Sequence, residues 1–147
     1  MGNRAVITTA ENFENDGVGV YLHWNGGRDS VEAFLKYCEL KGYRTPDSDS
    51  YGWARLCMVV ANYFTDDGYD DGLSLGVDKV SNLDCDNFDN GVYIIDGWEI
   101  VGRVYNKGLE QRNHDLRAML LAIDARQPVK LGAEVIEEAV RKHMESA

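Results

Sequence analysis

Residues 92–104 read Val-Tyr-Ile-Ile-Asp-Gly-Trp-Glu-Ile-Val-Gly-Arg-Val, two β-rich runs joined by Asp96-Gly97. Asp-Gly in that setting is among the strongest short-range turn signals, so an antiparallel hairpin is expected over 92–95 and 98–104. A lone hairpin is marginal in water and has to be extended by further strands or covered by helices. The chain supplies both. Residues 4–9 and 18–24 are β-branched and aromatic and suggest an opening hairpin across 11–17, and 73–80 suggest one more strand.

Apolar residues at helical spacing fill the rest. Val31, Phe34, Leu35 and Cys38 predict a helix over 30–41, opened by Asp29 and Glu32 in a capping-box spacing and ended by Gly42. Trp53, Leu56, Cys57, Val60 and Phe64 predict a second over 51–64. Leu116, Met119, Leu120 and Ile123 predict a third over 110–126; Val135, Ile136, Ala139 and Val140 a fourth over 132–144, with Pro128 between them. Strands bunch and helices bunch without a βαβ rhythm. The expected fold is therefore α+β: a single compact domain over 1–147, a mainly antiparallel sheet and about four helices.

The net charge of −10 is concentrated. Residues 1–65 sum to −2 and 103–147 to +1, whereas 66–96 hold nine Asp (66, 67, 70, 71, 78, 84, 86, 89 and 96) against Lys79. The sign of the charge argues against bulk attraction to nucleic-acid phosphate. Aromatics at 10% argue against an acidic disordered chain. The N-terminus lacks the apolar run of a signal peptide, Val6 stands where myristoylation wants Ser or Thr, and no stretch is long and apolar enough for a membrane helix. Cys38, Cys57 and Cys85 are odd in number and widely spaced, as reduced thiols are, with Cys38 and Cys57 as core filling. A soluble protein of the host cytoplasm, with no membrane contact, is expected.

The stretch from Tyr21 to Ser30 carries the most chemistry. His23-Trp24-Asn25-Gly26-Gly27-Arg28 leads a strand into a helix N-terminus, whose first N–H groups lack internal partners and can hold an anion. Glycine lets a ligand approach the backbone, Arg28 adds a fork of donors, His23 a titratable donor, Trp24 a stacking face, and Ser30 lies in the first turn. The structural alternative is a tight turn with Asp29 already satisfying the helix donors. Tyr-x-His-Trp-Asn-Gly after a short hairpin resembles small proteins carried by phages, prophages and conjugative elements, over about the first forty residues, with Tyr51-Gly52-Trp53-Ala54-Arg55 as a further match. That resemblance implies a setting, in which small acidic proteins block host defence, and transfers no catalytic residue.

The Asp-rich segment admits three readings. On an EF-hand frame Asp67, Asp71, Gly72 and Asp78 take positions 1, 5, 6 and 12, but Tyr69 stands at position 3 and Asp, not Glu, at position 12. As a nucleic-acid mimic, Asp66, Asp67, Asp70, Asp71, Asp84, Asp86 and Asp89 would present carboxylates to a basic groove, with Tyr63, Tyr69 and Phe88 as anchors. The third reading is a solvated loop. His23, His114 and His143 fall in no catalytic spacing, which leaves only an undetected hydrolase using His23 with Asp29. The sequence thus points to a non-enzymatic inhibitor of a nucleic-acid-targeting defence, of anti-CRISPR or anti-restriction type, that meets the basic surface of a defence nuclease and no nucleic acid directly. The alternative is a nucleotide- or anion-sequestering module at the Gly-Gly turn. No cofactor is expected, calcium being the one ion the pattern admits.

Overall fold

The β-branched runs at the N-terminus pair as expected, but a helix joins them. The computed structural model describes residues 2–65, 74–106 and 115–145. Strand β1 (Ala5–Thr9) runs antiparallel to β2 (Val18–Leu22), with Ile7 opposite Val20, and helix α1 (Ala10–Asn15) fills the connection read as a hairpin loop. The reason is local: the Thr9 hydroxyl accepts the Asn12 N–H at 3.2 Å, capping a turn that opens with Ala10 and Glu11. Asp16 then ends it in the left-handed conformation.

Helix α2 (Arg28–Leu40) begins two residues earlier than the capping-box spacing suggests. Asn25 adopts a left-handed φ of 57° and extended Gly27 becomes the N-cap, so Asp29 lies inside the first turn, where its Oδ1 accepts the Ser30 N–H at 2.8 Å. Helix α3 (Ser50–Thr65) and strand β3 (Leu75–Lys79) follow close to expectation. Strands β4 (Val92–Asp96) and β5 (Glu99–Val104) form the hairpin. Asp96 pairs with Glu99, so the loop is Gly97-Trp98, with the positive φ of 62° at Gly97. That glycine-first placement is the one type II′ turns require. Helices α4 (Leu116–Ala125) and α5 (Ala133–Glu145) close the described chain.

The five strands lie in the order β3-β2-β1-β4-β5. Three pairings are antiparallel and the fourth, β1 with β4, is parallel, so the single α+β domain is built on a mixed sheet. Helices α2 to α5 cover one face, packing Phe34, Leu56, Leu120 and Ile136 on Ile7, Leu22, Tyr93 and Ile95. Their polar joints are buried. The Asp124 carboxylate accepts the Tyr37 hydroxyl at 2.6 Å and the N–H groups of Leu131 and Gly132 at 2.7 and 3.0 Å, tying α2 to the turn between α4 and α5. Gln127 bonds the Val59 carbonyl and Asn62 on α3.

The other face has no helix over its centre. Because β3, β1 and β4 all point the same way, the chain after β3 must return along the sheet to begin β4. Residues 80–91 make that return as a strap: Leu83 and Cys85 pack with Phe13 and Tyr21 onto Val6, Val92 and Ile94. At its start Asp16 accepts the Ser81 N–H and hydroxyl at 2.6 and 2.8 Å. At its end Asn90 N–H bonds the Arg4 carbonyl, and Gly91, at φ 67°, lies so close to β5 that a Cβ would sit 2.2 Å from the Val104 carbonyl oxygen. Among the described residues no helix is long and apolar enough to cross a membrane.

Candidate binding surface

The strap alternates like a strand although it pairs with none. Leu83, Cys85 and Asn87 point inward, while Asp84, Asp86 and Phe88 are exposed. Asn87, 1% exposed, is its internal clamp: Nδ2 donates to the Asp84 and Gly91 carbonyls, and Oδ1 accepts the N–H groups of Asp89 and Gly91. The clamp forces Phe88 to a φ of 63°, a left-handed conformation bulky residues seldom adopt, and leaves its ring 71% exposed.

The acidic residues divide by role. Asp89 is a structural counter-ion, accepting from Arg4 Nε at 2.7 Å and from the Arg4 backbone N–H at 3.1 Å. Asp84 touches the same guanidinium only at 3.4 Å, with its side chain half exposed. Asp78 lies in β3, where Oδ1 accepts from the Lys79 N–H and Asn82 Nδ2. A strand there is a departure from the EF-hand frame, which puts its last ligand at the start of a helix. Asp66, Asp67, Tyr69, Asp70 and Asp71 lie outside the described residues. So does His114. Among the described residues no three His, Cys, Asp or Glu side chains gather in a way that could hold a metal ion. Tyr63 is not beside the strap; it packs in the helical layer at 5.5 Å from the Phe34 ring.

Burial raises the Asp89 pKa, but the Arg4 hydrogen bonds and charge outweigh it and hold the carboxyl below its ordinary value. A group lowered on folding contributes stability above its unfolded pKa and loses it as pH falls through the folded value. Stability should therefore hold from neutrality to about pH 5 and fall below about pH 4. Arg4→Met should flatten that fall, read as urea midpoints at each pH.

The residues of the Gly-Gly turn are mostly engaged with the fold. Gly26 N–H donates to the Asn3 carbonyl at 2.8 Å, and its own carbonyl accepts the buried Tyr93 hydroxyl at 2.7 Å. A Cβ at Gly26 would lie 2.4 Å from the Asn3 oxygen, so glycine is needed there for close backbone approach. Gly26→Ala should cost about 1–3 kcal/mol in urea unfolding, the usual range for overpacking. Asn25 Nδ2 reaches Ser30 Oγ at 3.3 Å, and Arg28 Nε pairs with Glu32 at 2.7 Å. Of this turn, Arg28 lines a groove of about 230 Å3 together with Leu35, Trp98, Ile100, Leu116 and His143. His23 is hydrogen-bonded to the Tyr21 hydroxyl at 2.9 Å and lies within electrostatic reach of Asp89, so one edge of the turn adjoins the strap. Trp24 is 47% exposed and stands edge-on to the His23 ring.

Arg4 and Asn87 are the residues that sequence reading missed. Arg4 stands 85 positions from its partner Asp89 and gives no local signal. The alternation Leu83-Asp-Cys-Asp-Asn-Phe88 was a readable sign that this acidic run has an inner and an outer side. Compared with protein-family models, with curated proteins and with solved structures, the chain matches none.

Proposed function

We propose that this chain acts by binding, as a non-enzymatic accessory protein whose acidic strap docks on the basic, nucleic-acid-binding surface of a partner protein. The observation that carries the reading is the outward row of the strap. Asp84, Asp86 and the exposed, strained Phe88 combine charge with an apolar anchor, as interface cores and rims do. Residues that strain the backbone to expose an aromatic ring are more economically explained by a partner than by solvation. The mobile-element resemblance supplies the class of partner: a nuclease of a restriction or CRISPR defence. Ligand capture at the Gly-Gly turn draws less support, since the Gly26 and Ser30 N–H groups already have acceptors and Arg28 is paired with Glu32.

The test is a titration against purified restriction and CRISPR effector nucleases, with and without their DNA. One of them should bind, DNA should compete, and Asp84→Lys with Asp86→Lys should weaken binding at least tenfold while the melting temperature holds. Binding that the double charge reversal leaves intact would contradict the proposal.

A further inference from the structure

On the helical side of the sheet the chemistry reverses. Gly42, at φ 73°, turns the chain out of α2, and Gly52 lets the following loop press against α3: a Cβ there would be 2.4 Å from Pro46 N. The approach brings Tyr43 and Arg44 beside Tyr51 and Arg55, and with Gly42 these four line a recess of about 380 Å3. Arg55 Cζ stands 4.7 Å from the centre of the Tyr43 ring, and Arg44 Cζ 5.5 Å from that of Tyr51. Asp49 sets the geometry, one oxygen accepting the Tyr51 N–H and the other the Arg44 guanidinium, both at 2.9 Å.

In a chain with ten more acids than bases, arginines are expected to find carboxylates. Among the described residues Arg55 has none; its contact is the face of Tyr43. A guanidinium lying over a ring keeps N–H donors at its rim, suited to two oxygens of one phosphate. Tyr51, 65% exposed, offers a ring on which a base can stack. The volume falls within the range of small-molecule sites.

We propose that this recess binds a nucleoside phosphate: Arg55 holds the phosphate and Tyr51 stacks on the base, with Arg44, paired with Asp49, at the rim of the recess. The chemistry is the same whether the ligand is a free nucleotide or the phosphorylated end of a single strand. The site is separate from the strap, and the two readings stand or fall independently.

Calorimetric titration with the four nucleoside monophosphates, inorganic phosphate, adenosine and a 5′-phosphorylated tetranucleotide tests it. At least one monophosphate or the tetranucleotide should bind at least tenfold tighter than phosphate or adenosine. The tighter of the two names the source. Arg55→Gln and Tyr51→Ala, both at exposed positions, should each weaken binding tenfold or more without moving the melting temperature, whereas Asp84→Lys with Asp86→Lys should leave it unchanged. Absence of binding, equal binding of inorganic phosphate, or full affinity in Arg55→Gln would each overturn the proposal.

Discussion

Replacing Asp124 with alanine is expected to destabilise the protein by about 3–5 kcal/mol, because several buried hydrogen-bond donors are left unpaired at once. Asp124 is 5% exposed, and its loss strands three donors at once: the Tyr37 hydroxyl and the N–H groups of Leu131 and Gly132. The carboxyl pKa reflects the same balance. Burial raises it, but these donors and the Lys41 charge prevail and hold it below the ordinary value. For a chain of 147 residues the melting temperature should fall by roughly 10 °C. Asp124→Asn should cost less, because one oxygen still accepts. A loss under about 1 kcal/mol for the alanine variant, within the range of ordinary surface changes, would mean that the α4–α5 turn is held by other contacts.

The second large effect is expected at Asn87, on the opposite face. Its amide makes four hydrogen bonds that close the strap on itself, so Asn87→Ala should cost about 2–4 kcal/mol by leaving buried backbone groups unpaired. The damage should be local. Hydrogen exchange should accelerate at the Asp89 and Gly91 amides, which donate to Asn87 Oδ1, while amides in α2 and α4 keep their protection. If the strap is the docking element, the same variant should weaken partner binding with Asp84, Asp86 and Phe88 all present, because their presentation is lost. Uniform acceleration across the chain would place Asn87 in the global core instead.

What the sequence made legible was local. The Asp96-Gly97 signal announced its hairpin because turn chemistry is carried by adjacent residues, and the 3-4 spacing of Val31, Phe34, Leu35 and Cys38 announced α2 because all four face one core. The helix Ala10–Asn15 is not signalled by composition, since Asn12, Phe13 and Asn15 are weak helix formers and the cap at Thr9 decides it. The parallel pairing of β1 with β4 was not readable, since it depends on how residues 80–91 cross the sheet. For the same reason the acidic residues looked alike in sequence, while three-dimensional partners separate Asp89, locked to Arg4, from the outward Asp84 and Asp86. At the Gly-Gly turn the residues that need glycine come from β1 and the segment before it, which no inspection of residues 21–30 alone reveals.

The most direct measurement of the central claim is the dissociation constant of the complex with the proposed nuclease partner across a salt series. Competition for a phosphate-binding groove by carboxylates predicts that affinity falls roughly tenfold or more between about 50 and 200 mM salt, with a shallower slope for the Asp84→Lys, Asp86→Lys variant. A dissociation constant unchanged over that range, and the same slope in both proteins, would contradict an acidic strap as the binding surface.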